Sequence, residues 1–200
     1  MAGPFLIGTR VQLRPFDATD APTLAEWIND PDLRNHILLR FPQSISDEKA
    51  WIESNSGRGT PRDLAFGVEL RRGRRLIGSI GLHGIDWVHR RAVTGIFLYP
   101  PSLRGKGYGT EAKNLLLDYA FAELGLHQVA AIAFAGNAAS IRALEKQGYT
   151  RSGVHRKAYL VHGQWVDGIY FDLLHEEWEK LPRRQMGKVV HQRRGPGSAP

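Results

Sequence analysis

The chain contains no cysteine, which removes disulfides, thiolate metal sites and cysteine nucleophiles from consideration together. No apolar run approaches the roughly 18 residues of a membrane-spanning helix. The opening residues, Met1-Ala2-Gly3-Pro4, lack the basic-then-apolar pattern of a secretory signal, so the expected location is cytoplasmic, with no membrane partner. There is no H-E-x-x-H and no G-x-S-x-G, and the eight histidines are scattered; neither a metal site nor a serine-hydrolase elbow is expected. Acidic residues are absent from 182–200, where Arg183, Arg184, Lys188, Arg193 and Arg194 account for five of the seven excess positive charges. That stretch is too polar to bury a core and is expected to be a disordered basic tail. The remaining body is close to neutral, which argues against a nucleic-acid partner.

The remainder, residues 1–181, reads as one domain. A composition of 42% hydrophobic and 24% charged residues suits a globular core of ordinary size. Val11–Arg14 alternates as a strand ended by Pro15. Asp17 is placed to cap a helix carrying Leu24, Trp27 and Ile28, which stops before Pro31. Residues 31–46 read as loop with one helical turn, and Asp47 as the start of a second helix. Three strands, Leu64–Leu70, Leu76–Leu82 and Ala92–Leu98, follow on short connections and should pair antiparallel. The basic knot 71–75 is expected to be an exposed turn around Gly73. A helix with apolar spacing at Ala112, Leu115, Leu116 and Tyr119 ends at Gly125. Then come a strand over Gln128–Phe134, a helix capped by Asn137 and halted by Gly148, and a hairpin, Thr150–Val161 with Gln164–Leu174, turning at His162-Gly163. This order predicts an α+β fold: a mixed sheet of about seven strands between two layers of helix.

The chemistry is concentrated in Arg104-Gly105-Lys106-Gly107-Tyr108-Gly109-Thr110, between the last of the three strands and the following helix. Alternate glycines let successive main-chain N–H groups converge on an anion, and the helix adds the positive end of its dipole. The spacing fits neither G-x-G-x-x-G nor the nucleotide-binding G-x-x-x-x-G-K-[ST]. A glycine-rich turn opening an ordinary helix is the alternative.

Read as R-x-x-G-x-G (Arg104, Gly107, Gly109), the loop resembles the pyrophosphate loop of the GNAT superfamily of N-acetyltransferases, whose element order the chain also resembles. Asn137-Ala138-Ala139-Ser140, with Glu145-Lys146-Gln147-Gly148-Tyr149, is similar to a signature of the RimJ/RimL-like branch, which acetylates ribosomal-protein amino termini. The terminal hairpin resembles that branch and the bacterial spermidine acetyltransferases. The resemblance implies acetyl-CoA as co-substrate, an amine acceptor attacked directly in a ternary complex, and a possible homodimer. It assigns cofactor binding to Phe97, Leu98, Arg104, Gly105, Lys106, Gly107, Tyr108, Gly109, Thr110 and Asn137. The Leu98 amide would stabilise the oxyanion, and Ser140 would protonate the leaving sulfur or else satisfy its own helix.

Two departures stand out. The tyrosine that many of these enzymes place four residues before the glycine is Leu144 here, and Val93 and Thr94 stand where a strand glutamate is often the base. Glu69, His83, Asp86, His89, His162 and Asp167 are the remaining candidates for base, with His83 first. Polyamine or aminoglycoside acetyltransfer, and a non-catalytic acyl-CoA-binding module, are the competing functions.

Overall fold

The computed structural model describes residues 3–55 and 59–182. The expected tail beyond residue 182 lies outside these. Eight strands form one sheet in the order β1-β2-β3-β4-β5-β6-β8-β7. They are β1 (Leu6–Ile7), β2 (Val11–Arg14), β3 (Leu64–Leu70), β4 (Leu76–Asp86), β5 (Arg91–Leu98), β6 (Gln128–Phe134), β7 (Thr150–Val161) and β8 (Gln164–Leu174). Six helices flank it: α1 (Ala21–Asn29), α2 (Pro31–Arg34), α3 (Ile45–Ser54), α4 (Tyr108–Asp118), α5 (Ala138–Lys146) and α6 (His175–Lys180). The eighth strand is the two-residue β1, too short to leave a period in the sequence.

Turn chemistry sets most of these boundaries. Asp17 and Asp20 exchange side chain-to-backbone bonds as a capping box ahead of α1. The second cap is Ser44 rather than Asp47: Ser44 accepts from the Asp47 N–H, and Asp47 returns the bond three residues into α3. The anticipated Asp47 start was displaced because an aspartate can serve either end of that box. At the β7–β8 hairpin His162 and Gly163 both take positive φ, 49° and 73°, as a tight two-residue turn requires.

The sheet has two different faces. On one, α4 and α5 cover Val11, Leu13, Ile80, Leu82, Ala92, Val129, Ala131 and Leu173 with Leu115, Leu116 and Leu144, forming the main core. On the other, α1 and α3 bury a smaller cluster, Ala21, Leu24, Trp27, Leu33 and Ile52, against Phe16, Leu76 and Phe97. Each buried leucine contributes about 2 kcal/mol, so the α4 side supplies most of the stability. The α1 side leaves part of the sheet uncovered, where the exposed Val93 and His83 stand.

A polar network ties β2 and β3 to the start of α1. Arg14, 2% exposed, donates to both Asp20 oxygens at 2.7 and 2.9 Å and to Glu69 at 2.9 Å. Glu69, wholly buried, also meets Gln12 and lies 3.5 Å from Arg74. The Asp20 bond, opposed by burial and then reinforced by Glu69, holds the guanidinium firmly protonated.

Candidate active site

β5 and β6 run parallel and pair at only three positions, Arg91↔Gln128, Ala92↔Val129 and Val93↔Ala130. Beyond Val93 the two strands part. β5 stays paired with β4 as far as Leu98↔Gly78, and β6 with β8 as far as Phe134↔Gly168. The result is a fork in the middle of the sheet. Tyr99 donates its N–H to Ile77 on β4; by strand alternation the amides of Leu98, Ile96 and Thr94 therefore turn the other way, into the fork. The Phe97 carbonyl instead lies against Gly78, so closely that no side chain could be added there. Leu98 thus presents its main chain to the opening, while Phe97 presents its ring to Trp27 on the opposite side.

The glycine loop stands at the open end of the fork. Gly105 and Gly107 take φ of 74° and 82°, and Gly107 is the residue before the first turn of α4. The first α4 bond runs from the Glu111 N–H to the Gly107 carbonyl, which leaves the N–H groups of Tyr108, Gly109 and Thr110 pointing outward at the positive end of an 11-residue helix. Gly109 packs on Leu98 and Ile96, so the cradle and the fork adjoin. Arg104 and Lys106 flank the cradle.

A brace behind this loop had no signal in local sequence because its partners are about a hundred residues apart. Arg10 donates to the Lys106 carbonyl at 2.9 Å and to Glu111 Oε2 at 2.9 Å, and lies over the Tyr108 ring. Glu111 Oε1 accepts from the Arg10 and Val11 N–H groups. Burial pushes the Glu111 carboxyl up, but these bonds outweigh it and hold the group below its ordinary value. The cradle is therefore fastened to β2 before any ligand arrives.

Across the fork, on the α1 side, the floor is stripped of side chains. Gly81 and Gly95 face each other, and the His83 ring lies over both, with Nε2 3.2 Å from where a Gly81 Cβ would be. His83 Nδ1 is 3.6 Å from Asp63 Oδ1, which also accepts from the Gly84 N–H at 2.9 Å. Burial lowers the His83 pKa more than Asp63 raises it, although half of the side chain still meets solvent. The ring is accordingly neutral near pH 7. Aromatic side chains cluster on both arms: Trp27 of α1 with Phe97 and Tyr99 at the end of β5, and Phe134 of β6 with Tyr159 of β7, which meets Tyr170 of β8. Tyr159 rests on Gly168 and shares a 2.9 Å hydroxyl contact with Tyr170. Burial, then Tyr170, pushes its pKa up to about 12, so this phenol is a donor and not a base.

The other anticipated carboxylates are engaged elsewhere. Glu69 lies in the Arg14 network. Asp86 accepts from the His89 and Val88 N–H groups, and Asp167 from the Lys157 N–H at 2.7 Å. Asp30 accepts from the Tyr99 hydroxyl at 2.8 Å and from the Asp32 N–H. His89 and His162 sit in exposed turns. Asn137 caps α5 by accepting from the Ser140 N–H at 3.1 Å, which leaves its amide hydrogens to spend. Ser140 is half-buried in that first turn; among the described residues its Oγ has no hydrogen-bond partner. Leu144 and Tyr149 are core.

This fold is found in known proteins. The family model described as "Acetyltransferase (GNAT) domain" matches residues 10–150. An uncharacterized N-acetyltransferase of Bacillus subtilis, YnaD, is 30% identical over 84% of this chain and 96% of its own. YdaF of the same organism, provisionally assigned as a ribosomal N-acetyltransferase, is 33% identical over 86% of this chain and 96% of its own. The crystal structure of spermidine N-acetyltransferase from Vibrio cholerae with CoA and spermine superposes with a TM-score of 0.79 at 21% identity, covering 86% of this chain and 99% of that one. With residues 10–150 matched by that family model and relatives at 30% identity or more aligned over most of the chain's length, the protein belongs to the GNAT family and is an acyltransferase.

Proposed function

We propose that the protein transfers an acetyl group from acetyl-CoA to a primary amine by direct attack within a ternary complex. The observation that carries this reading is the β5–β6 fork opening directly beside the N–H cradle of Gly107–Thr110. In it the diphosphate rests on the Tyr108, Gly109 and Thr110 amides, with Arg104 and Lys106 alongside, and the pantetheine arm takes the place of the missing β5–β6 ladder. Asn137 donates its amide to that arm. The Leu98 N–H meets the thioester oxygen as it becomes an oxyanion; one such donor is worth about 3–4 kcal/mol. His83, neutral and reaching over Gly95, takes the proton of the attacking nitrogen.

The acceptor we favour carries one amine, as a peptide amino terminus does, which agrees with the RimJ/RimL-like resemblance and with YdaF. The support is electrostatic. A polyamine would need several carboxylates at the mouth; the acids expected there, Asp30, Asp32, Asp86 and Asp167, are few, and Asp30, Asp86 and Asp167 already accept hydrogen bonds. Burial, and then the nearby Arg104, instead disfavour the charged form of His36. A panel of peptides, monoamines and polyamines scored by free-thiol release tests the assignment. Peptides should turn over fastest; preferential use of spermidine would refute the acceptor class, and no acetyl-CoA consumption with any amine would refute the reaction.

A further inference from the structure

We propose that the β3–β4 turn, through Arg71, Arg72 and Arg75, binds the ribose phosphate of coenzyme A and so distinguishes the cofactor from its dephospho form. This rests on the acetyl-CoA reading above, which seats the diphosphate and leaves the phosphomonoester on the ribose unassigned. The turn closes through the Leu70 N–H and the Arg75 carbonyl at 2.8 Å, with Gly73 and Arg74 at φ of 80° and 49°. Residues 71–75 are all exposed. Arg74 turns back toward Glu69 at 3.5 Å. Among the described residues the side chains of Arg72 and Arg75 have neither an acidic partner nor a hydrogen bond.

Strand register puts this turn beside the cradle. Leu70 pairs with Val11, Glu69 with Leu76, and Gly78 with Leu98. The β1–β2 turn, the β3–β4 turn and the end of β5 therefore leave the same edge of the sheet, where the glycine loop begins. Arg10 joins turn and loop. On one side its carbonyl accepts from the Arg71 N–H at 2.9 Å, one strand spacing away, roughly 5 Å. Arg71 Nη1 donates to the Gly8 carbonyl at 3.0 Å, which fixes the guanidinium there and leaves its other donors unspent. On the other side Arg10 Nη1 holds the Lys106 carbonyl, and Nη2 lies 3.0 Å from where a Gly107 Cβ would be. Contacts thus run unbroken from the cradle to Arg71.

Charge argues for an anion at this edge. The body of the chain is close to neutral, yet Arg10, Arg71, Arg72, Arg75 and Lys106 gather here. The nearby acids are already engaged, Glu111 by Arg10 and Glu69 by Arg14 in the core. Like charges held together repel, and a dense anion relieves that. A phosphomonoester carries a charge of roughly −1.5 to −2 at pH 7 and accepts from several guanidinium forks at once. In coenzyme A one ribose separates this group from the diphosphate. A diphosphate resting on the Tyr108, Gly109 and Thr110 amides therefore keeps the second phosphate near this edge, while the pantetheine arm leaves the other way, into the fork.

Calorimetry with coenzyme A and dephospho-coenzyme A, which differ by this one group, tests the proposal on the full chain. Wild type should bind coenzyme A about tenfold more tightly, and the gap should narrow as salt rises. Arg72→Gln/Arg75→Gln alters only exposed side chains of a turn. It should bring coenzyme A down to the affinity of the dephospho form, whose own affinity should stay where it was. Should that variant fail to fold, Arg71→Lys, which keeps the charge and loses the fork, should still narrow the gap. Equal wild-type affinities for the two forms overturn the proposal. So does a preference that survives Arg72→Gln/Arg75→Gln and vanishes in Arg142→Gln, on the exposed side of α5. A wild type that takes up neither form overturns it together with the acetyl-CoA reading.

Discussion

Arg14→Met is a demanding test of how the β2–β3 half of the sheet is held. The side chain is 2% exposed and Glu69 is wholly buried. Removing the guanidinium strands a carboxylate in the core and deletes both Arg14 bonds to Asp20 at the head of α1, leaving the one from the Asp17 N–H. Breaking a buried pair from one side costs about 3–5 kcal/mol. Gln12 and Arg74 still face Glu69, which places the expectation toward the lower end of that range. At about 2–4 °C per kcal/mol for a chain of this size, Tm should drop by about 6–12 °C. Urea unfolding at pH 7 measures the loss directly. Two controls sharpen it. The Arg14→Met/Glu69→Gln double variant should recover part of the loss, since the more deeply buried of the two stranded carboxylates is then neutral. The deficit of the single variant should also shrink as pH falls into the carboxylate range, where the stranded Glu69 takes up a proton. A cost below about 1 kcal/mol, the worth of an exposed pair, would refute the network as a structural tie.

Three other outcomes are expected. Gly107→Ala forces a side chain into φ 82° and 3.0 Å from Arg10 Nη2; at about 1–2 kcal/mol for a left-handed non-glycine residue, calorimetry should show coenzyme A binding weakened about tenfold. His83→Gln should reduce turnover about 100-fold with cofactor affinity unchanged, and because burial lowers the wild-type pKa, the acid limb should lie below about 6.5. Lys113 of α4 is 3% exposed, and burial brings its pKa down to about 7; between about pH 7 and 10.5 the unfolded chain therefore keeps a proton that the folded chain has lost, so wild-type stability should climb across this window relative to Lys113→Met, a slope that urea midpoints at its two ends measure.

Most of the fold was legible because it is written in local signals. Alternation, caps and glycines located β2 to β8 and α1, α4 and α5, and the final hairpin agrees to the residue; the six-residue α6 was not anticipated. The Asp47 boundary missed because capping is reciprocal, and only geometry tells which partner is Ncap. Within the site, the glycine loop announced itself by spacing. Its brace did not: Arg10 and Glu111 carry no motif, and their meeting is decided by the register of β2 against α4. The base candidates formed a longer list than the fold allows. The bonds already made by Glu69, Asp86 and Asp167 and the exposed turns that carry His89 and His162 leave His83 as the base we propose, a selection that depends on burial and pairing and not on residue type.

The three-pair seam between β5 and β6 has a mechanical consequence. Everything from β1 to β5 and everything from β6 to β8 is laced together side by side, yet the two halves meet through one short stitch and the helices behind it. An occupant of the gap would complete the ladder and act as mortar as well as reagent, so amide hydrogens at Thr94, Ile96 and Leu98 should exchange quickly when the gap is empty and slowly when it is filled. Each turnover would then loosen and re-knit the middle of the molecule, and cofactor concentration would set how rigid the protein is.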